Sequence, residues 1–277
     1  MNTGESDTEM VWVNGQITPT SEAMISVSVP GVALGLGFFE TIYVEQRRFF
    51  KFENHYERLK CGVGKAGANL PLASDLRLAI LQLVEINGYQ TSSCRVRISC
   101  YVDNDSTFTV VATSAMPVRG ATASTILSPY RVNEYSALVG LKSSSYAMNI
   151  LALREAQELG SDEALMLNTA GELCEGTTSN LFLVKSGEVH TPHIESGCLP
   201  GIARGAVIEL CEELGIPCFE RALSINELHD CDAAFLTSSL RRVHPISSFD
   251  GKLLASAEQE LVVELLSAYE AKVYGPE

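Results

Sequence analysis

Five short stretches carry the residues that could do chemistry. Lys142 stands in "LVGLKSSSYAMNILALREAQELG", between a small apolar run and a segment whose Tyr146, Ile150, Leu153 and Ala156 fall three or four residues apart, as on one helix face. The serines between them supply N-cap residues. Taken alone, such a lysine is a solvated side chain. Glu175 in "GELCEGTTSNLFLV" ends a hairpin strand just before a Gly-Thr-Thr-Ser-Asn run. A carboxylate there is either an exposed turn residue or a partner for a protonated heterocyclic nitrogen.

The other three stretches are suited to anions. In "LPGIARGAV" a Pro-Gly turn opens directly into a helix and presents the N–H groups of Ile202 and Ala203. "TSSLRR" closes a strand with hydroxyls, and "HYERL" places Arg58 inside a helix. Singly these read as a helix start, a strand-end turn and a surface arginine. Together with a lysine and a glutamate they stop being independent.

Composition narrows the field. The formal net charge is −14, so a phosphodiester backbone is excluded as partner, because that needs clustered Lys and Arg. No apolar run approaches a bilayer span, and the start "MNTGESDTEM" is unlike a targeting peptide, which points to a cytoplasmic protein. The eight cysteines show no C-x-x-C pair and read as reduced core thiols. No H-E-x-x-H, G-x-S-x-G or P-loop pattern occurs, and His190 and His193 lack further ligands nearby, so no metal is expected. Gly35 and Gly37 begin a G-x-G that runs into Phe38-Phe39-Glu40, which breaks the dinucleotide fingerprint.

The elements that must position these residues follow an α+β pattern. "MVWVNGQI" predicts a hairpin at Asn14-Gly15, and "FFETIYVEQRRFFKF" two strands joined around Gln46 and Arg47. Helices follow at "ENHYERLKCGVGKAG" and "SDLRLAILQLVEING", the second capped by Ser74, and then the strands "CRVRISCYV" and "TFTVVATSAM". "PVRGATAST" has linker composition, which gives a first domain of residues 1–116, a linker of 117–125 and a second domain of 126–277. The second domain holds the opening helix, hairpins at Ala170-Gly171 and Ser186-Gly187, helices at "GIARGAVIELCEELG" and "SINELHDC", and the strand "AAFLTSSL". Without regular βαβ alternation, this is not a Rossmann fold.

Read in order, "GLGFFETIYV", "FENHYERL", "GLKSSSYAMNILALREA", "GSDEALMLNTAGELCEGTTSNLFLV", "HTPHIESGCLPGIARGAVIEL" and "CDAAFLTSSLRRVHPI" resemble the fold type IV pyridoxal-phosphate enzymes. That family includes branched-chain and D-amino-acid aminotransferases and 4-amino-4-deoxychorismate lyase, and the resemblance covers nearly the whole chain. It implies a two-domain, D-amino-acid aminotransferase-like fold, a homodimer, and an active site at the domain interface. It implies that Lys142 binds the aldehyde of pyridoxal 5'-phosphate and that Glu175 pairs with the pyridine nitrogen. Arg58, Ile202, Ala203, Ser238 and Ser239 resemble the phosphate cup, Leu199 the residue packed on the ring, and Tyr146 a tyrosine near the phenolic oxygen. Ala203 stands where threonine is usual, which keeps the backbone donor and removes a hydroxyl.

On the substrate side the resemblance points to Phe39, Arg97, Arg241 and Arg242 as contacts for a small carboxylate. "GFFET" and "TSSLRRVHPI" resemble the lyase motifs, so the expectation is a 4-amino-4-deoxychorismate lyase releasing pyruvate and p-aminobenzoate. The alternative is a class IV aminotransferase passing an amino group to a 2-oxo acid.

Overall fold

The structure is a computed structural model, and it describes residues 9–274. Most of the polar start read as unlike a targeting peptide lies outside the described residues. The chain divides into two units, residues 1–117 with 141–145 and residues 118–140 with 146–277.

The first unit opens with the predicted hairpin, β1 (Met10–Val13) and β2 (Gln16–Pro19). Asn14 and Gly15 both take positive φ, 46° and 99°, as a tight two-residue turn requires. There follow α1 (Pro30–Ala33), β3 (Gly37–Glu45), β4 (Arg48–Phe49), α2 (Phe52–Lys65), α3 (Ala73–Ile86), β5 (Ser93–Asp103) and β6 (Ser106–Ala115). The strands form one antiparallel sheet in the order β2-β1-β6-β5-β3-β4. Leu59 and Val63 of α2 and Leu76, Ile80 and Leu83 of α3 bury one face of it, against Ile42, Val44, Val96 and Ile98. Gly31 of α1 lies so close to β5 that a Cβ would stand 2.4 Å from the Val102 nitrogen. Only glycine fits that approach.

Strand alternation sorts β3 and β5 into two rows. Phe38, Glu40 and Ile42 lie opposite Cys100, Ile98 and Val96, the row that enters the core. Phe39 and Thr41 lie opposite Ser99 and Arg97, on the other face. A glutamate thus stands in the middle of an apolar row.

Residues 141–145 extend the same sheet. Phe38 bridges Ser143, the Phe39 N–H donates to the Lys142 carbonyl at 2.9 Å, and the Ser144 N–H to the Gly37 carbonyl at 2.7 Å. β4 pairs only with Val44 and Glu45, so this end of the β3 edge takes the segment. The Ser145 hydroxyl donates to the Gly35 carbonyl at 2.9 Å. The serines therefore fasten the chain to β3 rather than cap the helix, whose N-cap is Tyr146 without a side-chain bond. Ser74 likewise does not cap its helix, which starts at Ala73 after Leu72.

The second unit contains β7 (Ala123–Val132), α4 (Ala147–Glu158), β8 (Glu163–Asn168), β9 (Leu173–Gly176), β10 (Asn180–Lys185) and β11 (Glu188–Pro192). It continues with α5 (Ile202–Leu214), β12 (Cys218–Arg221), α6 (Ile225–Asp230), β13 (Ala233–Ser238), β14 (Arg242–Phe249), β15 (Lys252–Leu253) and α7 (Glu260–Tyr274). The sheet order is β12-β11-β10-β13-β14-β7-β8-β9, with β15 on β14. Three pairs, β11–β12, β14–β7 and β7–β8, are parallel. Leu165, Leu181, Leu183, Leu236 and Ile246 bury one layer with Leu223 and Leu228. Ser224 and Glu227 close a reciprocal capping box on α6.

Two sequence boundaries differ. Ala123 already belongs to β7, so the strand begins inside the stretch read as linker. Residues 141–145, expected in the second domain, belong with the first unit because their backbone pairs with β3. All eight cysteines are free, and Cys61 is exposed rather than a core thiol. Among the described residues no helix is long and apolar enough to cross a membrane.

Candidate active site

In the first unit the outer row of β3 and β5 carries Phe39, and two cations meet its ring. The Lys142 Nζ is 4.5 Å from the ring centroid and the Arg97 guanidinium carbon 3.9 Å. Arg97 is oriented by donating from Nε to the Ser99 hydroxyl, at 3.1 Å. Three residues predicted from the sequence, Phe39, Arg97 and Lys142, are therefore one cluster.

Arg58 lies with the inner row. Its Nε and Nη2 donate to the two oxygens of Glu40 at 2.7 and 2.8 Å, and Glu40 is also 2.6 Å from His55 Nδ1. His55 and Arg58 are three residues apart on α2 and so share a face. Burial pushes the Glu40 carboxyl up, but the charges of Arg58 and His55 and their hydrogen bonds outweigh it and bring the pKa down to about 2.

In the second unit Glu175 is the last residue but one of β9. One of its oxygens accepts the Leu199 N–H at 3.0 Å and faces the Asn180 amide at 3.4 Å. Asn180 also donates to the Leu199 carbonyl at 2.8 Å. Its other side abuts Gly201, where a Cβ would lie 2.0 Å from Asn180 Oδ1. Gly201 is the N-cap of α5, and no side chain caps that helix or places an acid in its first turn. The N-terminal donors of Ile202 and Ala203 are thus carried on a helix start that suits an anion. Asn180 pairs across the sheet with Thr237, whose buried hydroxyl has no hydrogen-bond partner among the described residues. Ser238 follows at the end of β13.

Other expected contacts are engaged elsewhere. The Tyr146 hydroxyl donates to the Thr177 carbonyl at 2.7 Å. Arg241 reaches Glu163 at 3.1 Å, and Arg242 pairs with Glu270 at 3.3 Å. His190 accepts from Arg221 at 3.3 Å, and among the described residues no group of acids, His and Cys could hold a metal.

Glu40, His55, Asn180 and Glu163 were not singled out from the sequence. Glu40 alone left a trace, as a charge inside the apolar run "FFETIYV".

These residues suit pyridoxal phosphate. The buried Thr237 hydroxyl, the helix start at Gly201 with no room for a Cβ, and the carboxyl of Glu175 are donors and acceptors of the types a phosphate and a protonated pyridine require.

Known proteins agree. The chain matches the model of the class IV amino-transferase family over residues 37–249. A putative branched-chain-amino-acid aminotransferase of Methanocaldococcus jannaschii is 27% identical over 88% of this chain and 89% of its own length. The D-alanine aminotransferase of Bacillus licheniformis is 26% identical over 89% of this chain and 90% of its own. The crystal structure of the branched-chain aminotransferase of Thermobaculum terrenum in its PLP form superposes with a TM-score of 0.86 at 27% identity, covering 98% of this chain and 95% of that one. The chain therefore belongs to the class IV aminotransferase family and is a fold type IV enzyme whose cofactor is pyridoxal 5'-phosphate.

Proposed function

We propose that this enzyme is an aminotransferase that moves the amino group of a small, mainly apolar amino acid to a 2-oxo acid. The observation that carries this reading is the Phe39 ring with the Lys142 amine and the Arg97 guanidinium against it. It supplies a proton carrier and a donor for a carboxylate on one aromatic support. The bound cofactor supplies an electron sink for charge that develops at the substrate α-carbon.

Lys142 Nζ would hold the cofactor at its aldehyde and would carry the proton of the substrate α-carbon. Glu175 keeps the pyridine nitrogen protonated, with one oxygen already fixed by the Leu199 N–H. Arg58, the N–H groups of Ile202 and Ala203, and the hydroxyls of Ser238 and Ser239 bind the phosphate, while Leu199 packs on the ring and Tyr146 braces the turn beyond Glu175. Arg97 takes a substrate carboxylate. Arg241 and Arg242 are left out of the substrate set because Glu163 and Glu270 hold them.

The lyase reading gives way to its alternative, since the relatives described above are aminotransferases. The exposed apolar side chains Met24, Val27 and Leu34 suit burial in a homodimer, which gel filtration with light scattering tests, and a cytoplasmic setting agrees with the free cysteines.

The deciding assay offers 2-oxoglutarate with L-leucine, L-valine or D-alanine, and separately offers 4-amino-4-deoxychorismate. Transfer from an apolar amino acid is the expected result. Release of pyruvate and p-aminobenzoate without transfer would overturn it.

A further inference from the structure

We infer that Glu163 is a positioning residue that ties the turn after Glu175 to the turn after β13, so that the pyridine partner and the phosphate hydroxyls are held in one frame. The inference rests on the assignment of Glu175, Ser238 and Ser239 to the cofactor.

Glu163 opens β8 and its side chain is 0% exposed. A buried carboxylate is costly unless its oxygens are satisfied, and here, besides the neighbouring Ala164 N–H at 3.3 Å, the donors come from two separate segments. From the turn after Glu175, the Thr177 N–H at 3.1 Å and the Thr177 hydroxyl donate to Oε1. The hydroxyls of Thr178, at 2.9 Å, and Ser179, at 3.3 Å, donate to Oε2. From the turn after β13, Arg241 Nη2 donates to the same Oε2 at 3.1 Å. The Arg241 backbone N–H in turn donates to the Ser238 hydroxyl at 3.1 Å. A path of three contacts thus leads from the Thr177 turn, through Glu163 and Arg241, to a proposed phosphate ligand.

The first turn is packed around the same acid. A Cβ at Gly176 would lie 2.4 Å from the Ser179 hydroxyl and 3.2 Å from Glu163 Cγ. The Thr177 carbonyl is taken by Tyr146 and, at 3.0 Å, by Asn149 of α4. What Glu163 holds is two turns, each adjoining a proposed cofactor contact, and not a layer of the apolar core.

The test measures the rate at which pyridoxal phosphate leaves the loaded full-length enzyme on dilution, by absorbance. Glu163→Gln and Arg241→Met are each expected to speed release about tenfold, as for loss of one charged hydrogen bond, and the double variant to add little, because both remove the same tie. Leu228→Ala, a core truncation in α6, is the control for general destabilisation. Release as fast from Leu228→Ala, at an equal loss of melting temperature, would overturn the tie, as would wild-type release from Glu163→Gln.

Should Glu163→Gln fail to fold, Thr178→Val and Thr178→Ser decide the matter with a single donor. Faster release from the valine variant and wild-type release from the serine variant support the tie. Equal release from both overturns it. Failure of the underlying assignment reads differently: wild-type protein would then fix no cofactor with borohydride, and the tie would have nothing to position.

Discussion

Glu40 and Arg58 form a two-pronged ion pair inside the first unit, Nε to Oε1 at 2.7 Å and Nη2 to Oε2 at 2.8 Å, with Glu40 fully buried. The pair fixes both the position and the plane of the guanidinium. Arg58 is thereby pre-set for its proposed anion instead of swinging on a long flexible stem.

The pair makes stability depend on pH. The Glu40 carboxyl is lowered from 4.5 to about 2, so its contribution is fully present above about pH 4.5 and is lost as pH falls toward 2. A shift of that size corresponds to about 3 kcal/mol. Unfolding by denaturant, followed by circular dichroism, should show wild type ahead of Glu40→Gln by that order at pH 7. The gap should shrink by more than half at pH 3; an equal gap at both pH values would show that the carboxylate charge is not its source.

Lys142→Ala should lower transfer about 10²–10⁴-fold, the usual range for losing a positioned proton carrier. Added pyridoxal phosphate should then give no borohydride-fixable absorption. Fixation at wild-type level in this variant would move the attachment to another lysine.

Glu175→Gln keeps an oxygen for the Leu199 N–H but removes the charge that would hold the pyridine proton. Turnover should fall on the order of 10²-fold, with little change in melting temperature. A variant as active as wild type would detach Glu175 from the cofactor.

Gly201→Ala puts a Cβ 2.0 Å from Asn180 Oδ1, and Asn180 must shift away from Leu199 and Glu175 to make room. Crowding of this kind costs about 1–3 kcal/mol. Weaker pyridoxal-phosphate binding measured by fluorescence titration should accompany it; unchanged affinity would show that the helix start tolerates a side chain.

Much of the fold was legible because it is local. Asn14-Gly15 and Ser186-Gly187 announce their hairpins through positive φ, and α2 announces itself by its apolar spacing. The serines of 143–145 misled because their backbone pairs with β3 and the Ser145 hydroxyl is taken by the Gly35 carbonyl just before that strand, and nothing local announces either. The expected roles of Lys142, Glu175 and Gly201 came from the resemblance of their ordered blocks, because each residue alone reads as a solvated side chain or a turn. Their supports were not legible: Glu40 is 18 residues from Arg58, and Glu163 is 78 from Arg241. Pairing at such distances has no period in the sequence and is set only by which strands become neighbours.

The excursion of residues 141–145 into the first unit has a consequence for synthesis. The N-terminal sheet emerges from the ribosome with one stretch of the β3 edge bare, and it stays bare until about two dozen further residues have been added. A fragment ending at the linker would lack both that covering segment and Lys142. Neither unit is one continuous piece of polypeptide, so a gene cut after residue 117 leaves the first unit short of a segment that only the other piece carries.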